Sequence, residues 1–238
     1  AAASHLGNPD IGLTTLTETA RLTRNVVNAL NIPVVVDADN GYGNEDNVMR
    51  TVDELEHAGA AAMIMEDQIL PKRCGHASKK EILPLDRYMR KLEYALKARR
   101  TPMVIVARTD AMDLDEAIHR VKTFAKAGAD VVLIDGLSSL DAIKRVADEV
   151  EAPKLINLIY GGKTPLLSAP EFEKLGFKIV LYSTPALYVA HKAVREWMQT
   201  LKRTRDLNSI SDASVTFKDF QSFIEENYIR RTGHKPVL

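Results

Sequence analysis

The sequence has 238 residues, 45% of them hydrophobic and 27% charged, which is enough for one large hydrophobic core or two small ones. Its 32 basic residues balance its 32 acidic residues, so no net charge favours nucleic acid or an anionic membrane as a partner. No apolar run approaches the roughly 18–20 residues of a membrane span, and the first ten residues lack the regions of a signal peptide. A single cysteine excludes an internal disulfide, which favours a reducing compartment, the cytoplasm or an organelle matrix.

Six short apolar runs recur along the chain, and each is typical of a strand buried on both faces of a parallel sheet. They span residues 32–39, 61–67, 102–110, 129–135, 153–159 and 177–183. Helical patterns lie between them, and Gly59, Gly128 and Gly176 stand where a helix ends before the next strand. Six βα units with polar strand ends predict an α/β fold, and a (β/α)₈ TIM-type barrel rather than an open sheet.

Such a barrel needs eight strands, so the first two are expected upstream of residue 1. The alternative is an open-sheet protein. Residues 1–15 read as a loop that enters a helix over 15–30.

The pattern changes after residue 200, which predicts a barrel domain over 1–200 and a linker with a C-terminal helix over 201–238. The helix, over 217–231, is amphipathic and carries aromatic residues at 217, 220 and 223. With no strand beside it, this extension is expected to pack elsewhere, on a neighbouring subunit.

Two carboxylates, Asp37 and Asp39, stand two positions apart at the end of the first run, so both point to the same side of a strand. Glu66 ends the next run, which lies beside the first in a barrel. Buried like charges this close need a cation between them, and three carboxylates suit Mg²⁺ or Mn²⁺ better than Zn²⁺. The alternative is that Asp37 or Asp39 only caps the loop between strand and helix.

Arg108 ends the third run, where it would bind a substrate carboxylate or stabilise a developing oxyanion. The alternative is an internal ion pair with Asp110 or Asp37. Asn157 and the loop 161–165 offer donors to a second carboxylate, although a plain loop fits the spacing equally well.

Cys74 lies in the polar stretch Pro-Lys-Arg-Cys-Gly-His at 71–76, where Lys72, Arg73 and His76 would lower the pKa of its thiol. This stretch belongs to an unusually long loop over 69–86, a length typical of a lid over an active site. The residues alone therefore predict a divalent-metal enzyme that acts on a small polyanion, with the thiol as a reagent.

Six motifs together resemble the isocitrate lyase/phosphoenolpyruvate mutase superfamily, from residue 4 to about residue 200. They are LGNPD at 6–10, VDADNGYGN at 36–44, EDQ at 66–68, KRCGH at 72–76, ARTDA at 107–111 and GGKTPL at 161–166. The KRCGH motif is similar to that of the lyase members, among them 2-methylisocitrate lyase, 2,3-dimethylmalate lyase and petal death protein. Phosphonate-processing members normally lack it.

The resemblance implies a (β/α)₈ barrel and a homotetramer, a dimer of dimers that exchanges C-terminal helices. It implies Mg²⁺, held largely through water by Asp37, Asp39 and Glu66 with Asp10 nearby. It implies that Cys74 is the acid that protonates the departing enediolate. The remaining residues to which it assigns catalysis or substrate binding are Gly75, His76, Arg108, Asp135, Asn157, Tyr160 and Thr164.

Three departures from the lyase pattern stand out. Asp135 replaces the usual Glu, which retracts the carboxylate by about 1 Å, and Tyr160 replaces an acid. The family's Tyr-x-Ser-Gly segment would fall before residue 1, and activity is expected to need it.

The expected reaction is Mg²⁺-dependent carbon–carbon cleavage of a 2-hydroxy di- or tricarboxylate to a 2-oxo acid, pyruvate or glyoxylate, and a carboxylate. The alternative is an oxaloacetate hydrolase or decarboxylase on the same scaffold, which Asp135 and Tyr160 leave open. A third reading is a catalytically impaired scaffold that binds small acids. The joint presence of Asp37, Asp39, Glu66, Arg108 and Cys74 argues against it.

Overall fold

A computed structural model describes residues 2–73, 80–210 and 214–236. Within these ranges the helices are α1 Ala2–His5, α2 Leu16–Ala29, α3 Glu45–His57, α4 Leu85–Ala98, α5 Leu114–Lys126, α6 Leu140–Glu149, α7 Ala169–Lys174, α8 Pro185–Thr204 and α9 Phe217–Thr232. The strands are β1 Val35–Asp37, β2 Ala62–Glu66, β3 Val104–Thr109, β4 Val131–Ile134, β5 Lys154–Leu158 and β6 Phe177–Tyr182. Each strand lies inside one of the six predicted runs.

The six strands form one parallel sheet in the order β1-β2-β3-β4-β5-β6. Strand order that follows chain order is typical of a βα barrel, whereas a doubly wound sheet reverses its order at a switch point. The prediction of an α/β fold of the TIM type is confirmed. The two further strands expected upstream stay a prediction.

The core lies mainly between the sheet and the surrounding helices. Its largest fully buried side chains include Tyr88 of α4 and Phe124 of α5, whose ring centroids are 4.6 Å apart. The Tyr88 hydroxyl donates to the Met65 carbonyl over 2.7 Å, so the buried phenol is satisfied by the backbone of β2. Burial of both faces of β2, β3, β4 and β5 explains why their sequences are almost wholly apolar, whereas β1 and β6 are partly exposed.

Glycines end several of the helices, as predicted. Gly59, Gly128 and Gly176 have φ values of 85°, 105° and 82°, the left-handed region that favours glycine after a helix. At Gly59 an added Cβ would also come within 2.9 Å of the Val27 side chain, so space as well as conformation requires glycine. Residues 2–5, expected as loop, form the single-turn helix α1, because Leu6 N donates back to the carbonyls of Ala2 and Ala3.

The chain divides into two compact units, one with residues 1–27 and 32–183, the other with 28–31 and 184–238. The second unit carries α8 and α9, and the predicted helix over 217–231 is present as α9. Among the described residues of α8 and α9 none is buried, and Phe217, Phe220 and Phe223 are exposed. Trp197 of α8 is the one tryptophan in the sequence, and its indole N–H is buried without a hydrogen-bond partner in the described part of the chain. The predicted boundary at residue 200 stays a prediction.

No helix within the described ranges is long and apolar enough to cross a membrane.

Candidate active site

The last inward-pointing residue of several strands is polar, and these side chains meet at the carboxyl end of the sheet. Strand residues alternate between the helix layer and the opposite face. That opposite face carries a second apolar cluster, which includes Ile64, Val106, Leu133 and Leu155. Two positions further along the same strands come Glu66, Arg108, Asp135 and Asn157. The period of a strand therefore places these four on one side, as predicted.

Arg108 is the centre of the group. Its Nε lies 2.9 Å from Asp110 Oδ2, and its Nη2 lies 2.9 Å from Asp135 Oδ2 and 3.2 Å from Glu66 Oε2. Burial acts to lower the pKa of Arg108, but these three acids raise it above its ordinary value, so the guanidinium is charged. The alternative of an ion pair with Asp110 is observed. All of its described contacts use Nε and Nη2, which leaves Nη1 for a ligand.

Glu66 is a buried carboxylate without a complete set of partners. It is 1% exposed, and neither side-chain oxygen accepts a hydrogen bond from the described residues, although Arg108 Nη2 is at ion-pair distance. Burial raises the pKa of Glu66 to about 8. Its oxygens are therefore available to a cation.

Lys72 is the cation that the structure places among the predicted metal ligands. Its side chain is 4% exposed, and its ammonium lies 3.0 Å from Asp10 Oδ1 and donates to Asp39 Oδ1. Burial acts to lower the pKa of Lys72, but Asp37, Glu66, Asp39 and Asp10 raise it above its usual value. Burial beside Asp37 also raises the pKa of Asp39 to about 6. Four carboxylates thus converge on one positive charge.

The turn after β1 sets the direction of Asp39. Asp39 and Tyr42 both have positive φ values, 48° and 60°, which few non-glycine residues adopt. The conformation is held because Asp39 N donates to Asp37 Oδ1 over 3.0 Å, the buried Asn40 amide donates to the Gln68 carbonyl over 3.2 Å, and Lys91 donates to the Asn40 carbonyl. The backbone carbonyl of Gln68, just after β2, and the Lys91 side chain of α4 therefore help to maintain this strained turn.

The end of β4 contributes a carboxylate to the site, and the end of β5 contributes an amide. Asn157 Nδ2 donates to Asp135 Oδ1 over 2.9 Å, and Ser183 Oγ donates to Asn157 Oδ1 over 2.5 Å. The Thr164 hydroxyl is buried and has no partner among the described residues, so it is free to bind a substrate oxygen. Tyr160, in contrast, is 79% exposed and stands apart from the buried group.

A second lysine, Lys80, reaches the site from the loop before α4. Its side chain is 3% exposed, and Nζ lies 2.9 Å from Asp110 Oδ1. Asp110 therefore forms ion pairs with two cations, Lys80 and Arg108. Three predicted site residues, Cys74, Gly75 and His76, lie outside the described residues, as do residues 77–79 of the predicted lid.

The sequence model of the family named phosphoenolpyruvate phosphomutase matches residues 1–202. The chain belongs to this family. It is 40% identical over 237 residues to 2,3-dimethylmalate lyase of Eubacterium barkeri, covering 98% of this chain and 82% of that protein. It is 37% identical over 227 residues to 2-methylisocitrate lyase of Aeropyrum pernix, covering 94% and 73%. The predictions of the superfamily and of an oxo-acid lyase are confirmed.

Solved structures of the family share the fold. A crystal structure of 2,3-dimethylmalate lyase has a TM-score of 0.85 at 31% identity and covers 99% of this chain and 84% of that one. Oxaloacetate acetylhydrolase with the product oxalate has a TM-score of 0.84 at 29% identity and covers 98% of this chain and 80% of that one. Phosphonopyruvate hydrolase with oxalate and Mg²⁺ has a TM-score of 0.84 at 25% identity and covers 96% and 81%.

The acidic cluster of this family member suits a hard divalent ion in its chemistry. Carboxylate oxygens are the ligands that Mg²⁺ prefers, and both oxygens of buried Glu66 lack hydrogen bonds. Within the described residues no three acidic, histidine or cysteine side chains are close enough to hold a metal directly. The residues fit an ion that keeps several waters between itself and the carboxylates, which is common for Mg²⁺.

The polar contacts add residues that were not predicted for the site. Lys72 and Lys80 enter it from the loop that follows β2, and Ser183 enters it from the end of β6. Lys72 stood in the cysteine motif, but only as a neighbour of the thiol. Nothing in the local sequence indicates that its ammonium turns towards Asp39, which lies 33 positions away.

Proposed function

We propose that this family member catalyses the reversible, Mg²⁺-dependent cleavage of a carbon–carbon bond in a 2-hydroxy di- or tricarboxylate that resembles 2,3-dimethylmalate or 2-methylisocitrate. The products are a 2-oxo acid, pyruvate or glyoxylate, and a second carboxylate. The observation that carries the proposal is the buried Arg108, which three acids hold through Nε and Nη2 and whose Nη1 has no contact within the described ranges. Relatives at 40% and 37% identity are named for these two activities.

Arg108 binds the carboxylate of the 2-oxo acid fragment. A guanidinium fixed through Nε and Nη2 presents its remaining nitrogen without loss of side-chain freedom when substrate arrives. A charged, buried donor stabilises oxygen-centred negative charge by several kcal/mol in sites of this kind. Asn157 binds the second carboxylate together with the Thr164 hydroxyl, and Asp135, which accepts from the Asn157 amide and pairs with Arg108, holds these two donors in place.

Asp37, Asp39 and Glu66, with Asp10, would hold Mg²⁺, which as a Lewis acid would lower the cost of negative charge on the substrate oxygens. When the bond between the two carbons breaks, its electron pair stays with the departing carboxylate fragment as an enediolate. In the proposal, the Cys74 thiol gives its proton to that carbon. The substrate hydroxyl gives its proton to water and becomes the carbonyl of the 2-oxo acid, and a proton from water restores the thiol, so the reaction as a whole neither releases nor consumes a proton.

A second candidate is hydrolysis of oxaloacetate to oxalate and acetate, or its decarboxylation. It is supported by the similarity to oxaloacetate acetylhydrolase, at a TM-score of 0.84. Asp135 and Tyr160, which differ from the lyase pattern, leave room for it. The two reactions differ in their products.

The proposal is tested by incubating the protein and Cys74→Ser with Mg²⁺ and 2-methylisocitrate, 2,3-dimethylmalate or oxaloacetate, and identifying products by NMR. Pyruvate with succinate or propionate, lost in the variant and on addition of EDTA, supports the lyase and the acid role of Cys74. Oxalate with acetate, or pyruvate with CO₂, supports the second candidate. No turnover of any of the three contradicts both.

We further propose a homotetramer that exchanges C-terminal helices. The support is that α8 and α9 have no buried residue in the described chain while Phe217, Phe220 and Phe223 are exposed. Light scattering of Phe220→Glu beside the unchanged protein tests this, because a charge at an aromatic contact should lower the molar mass. An unchanged mass contradicts it. A reducing compartment, the cytoplasm or an organelle matrix, remains the proposed location.

A further inference from the structure

Asp67 follows Glu66 directly, but its side chain points away from the substrate side and lies under the helix layer. It is fully buried, with 0% exposure. One oxygen accepts from the Asp110 backbone N–H over 2.9 Å, and the other accepts from the Thr109 hydroxyl over 2.6 Å. A single carboxylate therefore joins the end of β2 to the end of β3.

This junction lies one step from Arg108. The residues Glu66 and Arg108 are opposite each other in the β2–β3 ladder, and Asp67 binds the two residues that follow Arg108. Asp67 holds the backbone of Asp110, and the Asp110 carboxylate in turn accepts hydrogen bonds from Nε and Nη2 of Arg108. A shift of the Asp110 backbone would therefore move the Asp110 carboxylate, which accepts two hydrogen bonds from the guanidinium, and the guanidinium would move with it.

The charge of Asp67 is balanced from the helix layer. Arg120 of α5 is 4% exposed and places Nη1 3.1 Å from Asp67 Oδ2, while its Nε lies 2.7 Å from Glu116. Buried ion pairs of this kind add little net stability over well-packed apolar residues, since both charges lose their water. Stability alone is a weak reason for the pair.

We propose that Asp67 and Arg120 form a positioning pair that holds Arg108 at the angle at which it receives the substrate carboxylate. This rests on the proposed function of Arg108. The pair does not touch substrate. It acts through the Thr109 hydroxyl and the Asp110 backbone N–H.

The other end of β3 offers a matched control. There Asp130 Oδ2 accepts from the Ile105 backbone N–H over 2.8 Å and pairs with Arg99. A carboxylate and an arginine thus anchor the strand at both ends by the same kinds of contact. Only the pair at the carboxyl end lies next to Arg108, so only that pair should affect ligand binding.

The experiment compares Asp67→Asn with Asp130→Asn. Its readouts are the melting temperature, the dissociation constant of oxalate in the presence of Mg²⁺, measured by calorimetry, and kcat/KM for the best substrate. Both variants should melt a few degrees lower. Asp67→Asn should weaken oxalate binding about 10-fold and lower kcat/KM about 10- to 100-fold, because a misplacement on the scale of 1 Å is costly. Asp130→Asn should change neither by more than about 2-fold.

Arg120 gives a second, graded test that does not depend on the fate of Asp67→Asn. Arg120→Lys keeps the charge and should retain most of the oxalate affinity, whereas Arg120→Met leaves Asp67 unpaired and should lose about 10-fold.

Equal effects of Asp67→Asn and Asp130→Asn on oxalate binding would overturn the positioning role, as would full affinity in both Asp67→Asn and Arg120→Met. If the unchanged protein binds oxalate but turns over no 2-hydroxy acid, the proposed reaction fails. The dissociation constants of oxalate for the variants then still decide whether Asp67 and Arg120 position Arg108. If the unchanged protein does not bind oxalate, this inference is overturned, and product analysis alone decides the proposed reaction.

Discussion

The two ends of β3 differ in what the glutamate beside each end does with its carboxylate oxygens. At the amino end, Asp130 accepts a hydrogen bond from the backbone N–H of Ile105. Glu56 accepts hydrogen bonds from the backbone N–H groups of Arg100 and Thr101. Partial burial acts to raise the pKa of Glu56, but the hydrogen bonds from Thr101 and Arg100 lower it overall. At the carboxyl end, burial raises the pKa of Glu66 to about 8, and its oxygens accept no hydrogen bond from the described chain.

The difference separates structural acids from acids kept for a ligand. A carboxylate that accepts backbone hydrogen bonds stabilises the fold as an anion, whereas a buried carboxylate without them raises the free energy of the folded state. Such costs persist where a ligand later offsets them, which is typical of functional sites. The carboxyl end of the sheet should therefore be less stable and more reactive than the amino end.

The largest effect is expected at Arg108. Arg108→Met removes a buried cation that pairs with Glu66, Asp110 and Asp135, and breaking a buried ion pair from one side costs about 3–5 kcal/mol. Turnover should fall by at least about 10²-fold, since a substrate-binding donor is lost as well. Chemical denaturation and product assays measure the two effects. Arg99→Met at the amino end is the control, and equal losses in both variants would erase the contrast between the ends.

Glu66→Gln should have effects of opposite sign on stability and on binding. The amide removes a buried charge that lacks hydrogen bonds, so the metal-free protein should melt about 2–4 °C higher at pH 8. Mg²⁺ affinity should fall about 10-fold or more, because one carboxylate of the cluster is lost. Calorimetry and thermal melts with EDTA measure both. A lower melting temperature would mean that Glu66 is a structural acid like Glu56.

Lys91, which supports the turn after β1, should make stability depend on pH. Burial lowers the pKa of Lys91 from 10.5 to about 8. Between these values the unfolded chain binds a proton that the folded chain has released, so the free energy of unfolding rises with pH, by up to about 1.4 kcal/mol per unit. Urea denaturation from pH 8 to pH 10 should show this rise for the unchanged protein relative to Lys91→Met. Parallel curves for the two proteins would contradict it.

The smallest effect is expected at Glu56. Glu56→Gln keeps a carbonyl oxygen for the N–H groups of Arg100 and Thr101 and loses only the charge, which should cost about 1 kcal/mol of stability. Turnover and oxalate affinity should not change. A drop in turnover would show that the amino end of β3 also controls the site.

Much of the fold could be predicted from the sequence because strands buried on both faces leave a strong pattern. The runs at 129–135 and 153–159 contain β4 and β5 within one or two residues, and Gly128 and Gly176 mark the helix ends before strands. Helix α1 was missed because a four-residue helix has no apolar period to read.

The site could be predicted only where it follows from strand period. Glu66 and Arg108 were assigned from their places at the ends of neighbouring runs, and the two side chains lie 3.2 Å apart, whereas Asp135 was assigned through the family resemblance. The lysines were harder, since Lys72 meets Asp39 and Lys80 meets Asp110 across separations of 33 and 30 residues. Such pairings depend on how a loop folds back, which no local pattern encodes.

Trp197 makes the second unit optically distinct. It is the one tryptophan in the sequence and lies in α8, so tryptophan emission reports the surroundings of that helix alone. Far-ultraviolet circular dichroism instead averages over every helix and strand. Denaturation curves that coincide by these two methods mean that the helical unit and the sheet unfold together, whereas an earlier change in emission means that α8 loses its surroundings first.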